Sequence, residues 1–222
     1  MLKCLACGRK LGAAILVVCM LMLPVCASAV GIGDYLSFGS YEQDNDLFNG
    51  KEPIEWLILK SNGSEVLLIS RYALDCHRFD GYGESVNWQY SELRQWLNTD
   101  FFNAAFSAEE QAAIVQSTVF SNAGEPTTDA VFLMSKEDSL TWFDSNAART
   151  AVATAFARAQ GVPDKGAGKC WYWLRDRGAK AGRASYINSS GLVCGGEGGI
   201  SADTKTGAIR PLVWVSISAL IQ

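Results

Sequence analysis

Three side chains with nucleophilic or acid–base capacity stand together at Asp75-Cys76-His77, and His77 is the only histidine in the chain. A cysteine–histidine pair works as nucleophile and base when the imidazole reaches the thiol. Neighbours in an extended segment point to opposite sides, which places Cys76 and His77 badly for that role. A Ser-His-Asp hydrolase would also have to use His77, and no nucleophile-elbow sequence is present. Zinc catalysis draws at least three ligands from histidine, cysteine and carboxylate, so one histidine is a poor basis for it. Cys4-Leu5-Ala6-Cys7 looks like half of a zinc ribbon, yet no second Cys-x-x-Cys completes four ligands.

Beyond the first 29 residues the cysteines are Cys76, Cys170 and Cys194. An oxidising compartment permits one disulfide among them. Cys170–Cys194 is the preferred pair because the two flank a predicted hairpin. Three free thiols acting as small hydrophobes is the alternative. No cofactor or metal is expected. Calcium is the alternative, since Asp44-Asn45-Asp46 and Phe48-Asn49-Gly50 place hard oxygens close together. The EF-hand order fails because Phe48 stands where an oxygen ligand belongs, so a solvated acidic loop is the preferred reading. Glu197 and Asp203 form a second acidic pair in a glycine-rich loop.

Aromatic residues give the other chemical signal. Phe79, Tyr82, Trp88 and Tyr90 are interleaved with Asp80, Glu84 and Asn87. Rings stack on the C–H faces of sugars while carboxylates and amides bond the hydroxyls. Tyr82 and Trp88 are the ligand-stacking candidates. The competing reading is that these rings seal a core beneath a long loop.

The elements that must position these groups are legible in outline. Residues 35–41, 54–59 and 66–69 read as strands, the last two joined by an Asn62-Gly63 hairpin turn. Ser91 caps a helix carrying Leu93, Trp96 and Leu97, and Ser107 with Glu110 forms a capping box. Residues 129–135 suggest a buried strand, and Ser135 to Asp138 opens another helix. An apolar stripe of Val152, Ala155, Phe156 and Ala159 ends at Gly161. Residues 171–175 alternate as a strand, residues 184–187 and 192–194 flank a second hairpin turn, and residues 209–217 form a long terminal strand. Trp56, Trp96, Trp173 and Trp214 belong to the core, with Arg175 paired to Glu55. This pattern predicts an α+β fold of mixed, mainly antiparallel sheets with several short helices.

Residues 1–29 carry the layout of a secretory signal: Lys3, Arg9 and Lys10, then a charge-free apolar run of residues 11–25, then Ala27-Ser28-Ala29. Cleavage is expected after Ala29, leaving one domain over residues 30–222. A lipid-modified Cys26 is the minor alternative. The expected location is secreted or extracytoplasmic, with no stable membrane span after cleavage. Cleavage removes three basic groups and no acid, taking the net charge from −4 to about −7. A chain so charged, with no basic stripe, is a poor nucleic-acid partner.

Read in order, Phe38-Gly39-Ser40-Tyr41, Pro53-Ile54-Glu55-Trp56, residues 91–98, residues 128–135, Trp173-Leu174-Arg175 and Ile209-Arg210-Pro211-Leu212 resemble the DUF6273 family, a bacterial domain of unknown function. The resemblance implies an extracytoplasmic module and, by analogy of chain order, an architecture similar to C-type lectins and formylglycine-generating enzymes. It supplies no catalytic residues. The expected function is non-enzymatic binding of an extracellular glycan or a cell-surface protein. The alternative is an enzyme of formylglycine-generating-like fold that uses a cysteine or a metal.

Overall fold

The computed structural model describes residues 31–81, 83 and 85–220. The signal-type segment, Cys26, the expected cleavage point after Ala29 and Tyr82 lie outside the described residues.

The hairpin at Asn62-Gly63 forms. Strand Glu52–Ser61 returns antiparallel as Glu65–Ser70, with Leu57 opposite Ile69 and Ile58 opposite Leu68. Gly63 adopts φ 94°, open to glycine at no steric cost. Asn62 Oδ1 accepts the N–H groups of Ser64 and Glu65 at 3.1 and 2.8 Å, which closes the turn. Strand Tyr35–Tyr41 pairs with Glu52–Ser61, and Leu212–Ser216 pairs with Glu65–Ser70. Ile114–Val115 and Val131–Phe132 both pair with Leu212–Ser216, completing a wholly antiparallel sheet. Ile54, Trp56 and Ile58 are buried while Glu55, Leu57 and Leu59 are only half-buried, the period of two expected of a sheet with one core face. Trp56 donates its indole N–H to Phe38 O at 2.6 Å, so the ring is buried with its one polar atom satisfied.

A second sheet runs in the order Val193–Cys194, Arg183–Ile187, Tyr172–Arg177, Ala208–Ile209, Asp75–Cys76. Ile200–Ser201 also pairs with Arg183–Ile187, and the contact of Tyr172 with Ala208 is parallel. Successive residues from Tyr172 to Asp176 are all buried, so this central strand is covered on both faces.

Two short passages between the sheets run side by side. Residues 70–75 leave the first sheet for the second, and residues 209–212 return. The expected single strand over residues 209–217 is broken at Arg210-Pro211 for this reason. Pro211 has no N–H to lose, and its carbonyl accepts from Ser70 N–H at 3.0 Å. Buried Arg210 donates to Ser70 O at 2.9 Å and lies over the rings of Phe143 and Tyr172.

Short helices connect the strands. Ser91, Ser107 and Ser135 cap Glu92–Trp96, Ala108–Ala113 and Lys136–Trp142, and the last two starts are complete capping boxes with Glu110 and Asp138. The stripe from Val152 divides differently from expectation: Ala151–Val152 is a strand and Thr154 caps the helix Ala155–Ala159. Of the buried strand expected over residues 129–135, only Val131–Phe132 pairs into the first sheet; Asp129 ends a separate strand, Thr127–Asp129, which pairs with Ser117–Val119, and residues 133–135 are not strand. Trp56 and Trp173 are fully buried, and Trp96 and Trp214 pack against the same core. Arg175 does not pair with Glu55, whose partner is Arg71 at 3.1 Å. Arg175 instead donates to Asp138 Oδ2 at 2.5 Å and to the carbonyls of Phe120 and Leu133, joining a helix start to the central strand. Mixed, mostly antiparallel sheets with short helices make the class α+β.

Candidate functional site

The aromatic segment resolves into buried and exposed parts. Phe79 is fully buried, its ring 5.7 Å from Trp173 and 6.3 Å from Trp88. Trp88 is 1% exposed and donates its indole N–H to Asp129 Oδ2 at 2.8 Å. Asp129, itself buried, also accepts from Thr127 Oγ1 at 2.7 Å and from Arg94 Nε at 2.6 Å. Trp88 therefore offers no free face to a ligand, and the expectation that it stacks on one is corrected. A large apolar ring whose single donor finds a buried acceptor gains more by closing the core than by facing water.

Tyr90 is the exposed ring of this segment among the described residues, at 76%. It borders a depression of about 370 Å³ lined by Gln89, Ser91, Arg94, Gln95, Asn98 and Thr99. The Asn87 side-chain oxygen accepts Tyr90 N–H at 3.0 Å and fixes the turn. The floor is held from below. Arg94 is anchored on Asp129 and on Gln89 O at 3.0 Å. Asn98 donates to Arg94 O and Val131 O and accepts from the N–H groups of Ala130 and Val131. The Tyr90 hydroxyl and the Gln95 amide make no hydrogen bond among the described residues, which leaves a ring face and amide donors and acceptors for a polyhydroxylated ligand. Tyr90 stood in the aromatic segment that the sequence singled out, but exposure was needed to separate it from Trp88.

The Asp75-Cys76-His77 group is engaged in structural bonds. Tyr41 OH donates to Asp75 Oδ2 at 2.5 Å and Cys76 N–H donates to Asp75 Oδ1 at 2.7 Å. Burial raises Asp75 above the usual carboxylate range, with those two hydrogen bonds acting against it. Cys76 Sγ lies 3.2 Å from Lys205 O, and burial with the neighbouring Asp75 pushes the thiol up to about 11. His77 donates from Nδ1 to Arg78 O at 2.7 Å, and its ring stacks on Trp96 at 5.1 Å. The thiol and imidazole have separate partners.

Cys76, Cys170 and Cys194 are free thiols, so the expected Cys170–Cys194 bridge is not formed. The hairpin places Cys194 opposite Tyr186, whereas Cys170 sits in a separate short ladder opposite Ala151. Burial pushes the Cys170 thiol up to about 12.

In the acidic loop, ligand-capable oxygens of Glu42, Asp44 and Glu52 lie within 4.8 Å of one another. These carboxylates close the loop. Asn45 N–H donates to Glu42 at 2.7 Å, Gln43 N–H to Glu52 at 2.7 Å, and Asp46 N–H to Asp44 at 2.7 Å. Glu42 is raised by burial, against the Asn45 hydrogen bond and with Glu52 and Asp44 adding. Asp44 is lowered by the Asp46 N–H and the Asn49 amide.

A second surface gathers three glycine-rich loops. A cleft of about 500 Å³ lies between residues 180–186 and residues 193–199. An adjoining depression of about 270 Å³ is lined by Gly81, Gly83, Gly182, Ser201 and Asp203, and Arg183 belongs to both. Two glycines let the loops touch. A Cβ on Gly178 would lie 2.3 Å from Gly198 O, and Gly199, at φ 82°, would place one 2.4 Å from Ala184 O.

The fold and these surfaces define a mixed α+β domain that presents polar depressions on loops and helix ends. The chain belongs to the DUF6273 family, a domain of unknown function, which matches residues 63–217. Strands Tyr35–Tyr41 and Glu52–Ser61 precede that match, yet they pair into the same sheet as residues within it. No curated protein and no solved structure matches the chain. Among the described residues no helix is long and apolar enough to cross a membrane.

Proposed function

We propose that this chain is an exported, non-enzymatic module that binds an extracellular glycan, with a sugar ring stacked on Tyr90 and bonded by Gln95. The observation that carries this reading is the exposed Tyr90 ring beside an uncommitted amide on a floor locked by Arg94–Asp129 and Asn98. A rigid platform lowers the entropic cost of holding a ligand. The alternative is an enzyme that uses a cysteine or a metal; against its cysteine route, burial pushes the Cys76 and Cys170 thiols up to about 11 and about 12, away from the thiolate. The layout of residues 1–29 supports export with a mature N-terminus at Val30. The chain order supports an architecture similar to that of C-type lectins.

The test is a glycan array probed with the exported protein, first as wild type and then as Tyr90→Ala. Loss of a stacking ring weakens binding about tenfold, while the thermal midpoint moves by no more than about 2 °C because the residue is exposed. Binding persists in EDTA, since the platform uses no cation. Unchanged array signals in Tyr90→Ala overturn the assignment.

A further inference from the structure

We infer that the cleft between residues 180–186 and residues 193–199 is a binding site for a small oxyanion, a carboxylate or phosphate group, held by Lys180 and Arg183. The cleft holds about 500 Å³, room for a ligand the size of a monosaccharide or a small acid. Its wall is rich in unused donors. Lys180 Nζ makes no hydrogen bond or ion pair among the described residues, and its stem passes along Gly198, 3.6 Å from where a Cβ would stand. Arg183 spends only Nη1, on Gly199 O at 2.9 Å, which leaves Nε and Nη2 free and steadies the guanidinium. The four ion pairs among the described residues involve Arg71, Arg78, Arg94 and Arg175, so neither cation here has a carboxylate partner. The backbone N–H groups of Gly196 and Glu197 also find no acceptor among the described residues, and both residues are exposed.

Cationic and amide donors around one cleft match a compact group with several acceptor oxygens, and a guanidinium can bond two of them at once. Tyr186 and Val193 line the same cleft and supply apolar surface for the body of the ligand. Glu197 is the one acid in the lining and opposes the anion. It gives the site a sign that can be tested in both directions. This inference does not depend on the Tyr90 platform.

The experiment is calorimetric and NMR titration of the full chain with sodium phosphate, sodium glucuronate and neutral glucose at fixed ionic strength. Saturable binding of phosphate or glucuronate, with none for glucose, is expected. Comparison of the two acids shows whether the anion comes from a phosphate or a carboxylate. Lys180→Ala and Arg183→Ala each weaken binding about fivefold to tenfold, and Glu197→Gln strengthens it about fivefold, the worth of one unit charge about 4 Å away in water. Arg183→Lys keeps the charge and loses the two-oxygen contact, so it falls between wild type and Arg183→Ala. Tyr90→Ala leaves all of these values unchanged, which separates this site from the glycan platform. The inference is overturned if the anions give no saturable binding, if all variants respond alike, or if Glu197→Gln weakens binding.

Discussion

Replacing Trp88 by alanine decides whether this ring serves the core or a ligand. The side chain is 1% exposed, and its N–H reaches buried Asp129. Burying about 200 Å² of ring at about 25 cal/mol per Å² is worth about 5 kcal/mol as an upper estimate. Measured truncations of large buried aromatics cost about 3–5 kcal/mol once partial relaxation is included. Asp129 would also lose one of three donors, although Thr127 and Arg94 still hold it. A cost of about 4 kcal/mol is a large part of the roughly 5–15 kcal/mol that stabilises a domain. It lowers the thermal midpoint by about 8–16 °C at this chain length. Trp88→Phe keeps most of the apolar area and removes the donor, so a loss of about 1–3 kcal/mol is expected. Urea unfolding followed by tryptophan-independent circular dichroism gives both values. If Trp88→Ala melted within about 2 °C of wild type and abolished glycan binding, the ring would be a ligand contact and the burial argument would be wrong.

Gly207→Ala should prevent stable folding, because a Cβ there would lie 1.8 Å from Trp173 Nε1, which is anchored on His77 O. A loss of at least about 3 kcal/mol is expected, and a native thermal midpoint in the variant would refute this contact. Asp75 is raised in the folded state, so the native protein holds that proton more tightly than the unfolded chain. Its contribution is present below the unfolded value of about 3.9 and is lost as pH rises through the higher folded value. Asp75→Asn should therefore gain stability relative to wild type as pH rises above about 4 in urea titrations, and a difference that does not change with pH would refute the shift.

Signals within a few residues were readable from the chain alone. Ser107 and Glu110, like Ser135 and Asp138, satisfy each other's neighbouring amides across three residues, so their capping boxes could be placed without a fold. The Asn62-Gly63 hairpin and the α+β class follow from equally short-range patterns. What the sequence left open depended on partners far along the chain. Trp88 is buried against Phe79 with its N–H on Asp129, 41 residues away, while the Tyr90 ring two positions later is largely exposed. Cys170 and Cys194 flank one hairpin in sequence, but strand pairing sets them against Ala151 and Tyr186. The break at Arg210-Pro211 arises because two chain segments change sheets together, a requirement of topology that hydrophobic period cannot express. The cleft of Lys180 and Arg183 likewise exists only once glycines at 178 and 199 allow separate loops to meet. Local hydrogen bonding and periodicity therefore set the elements, and long-range packing decided which side chains met the core and which met water.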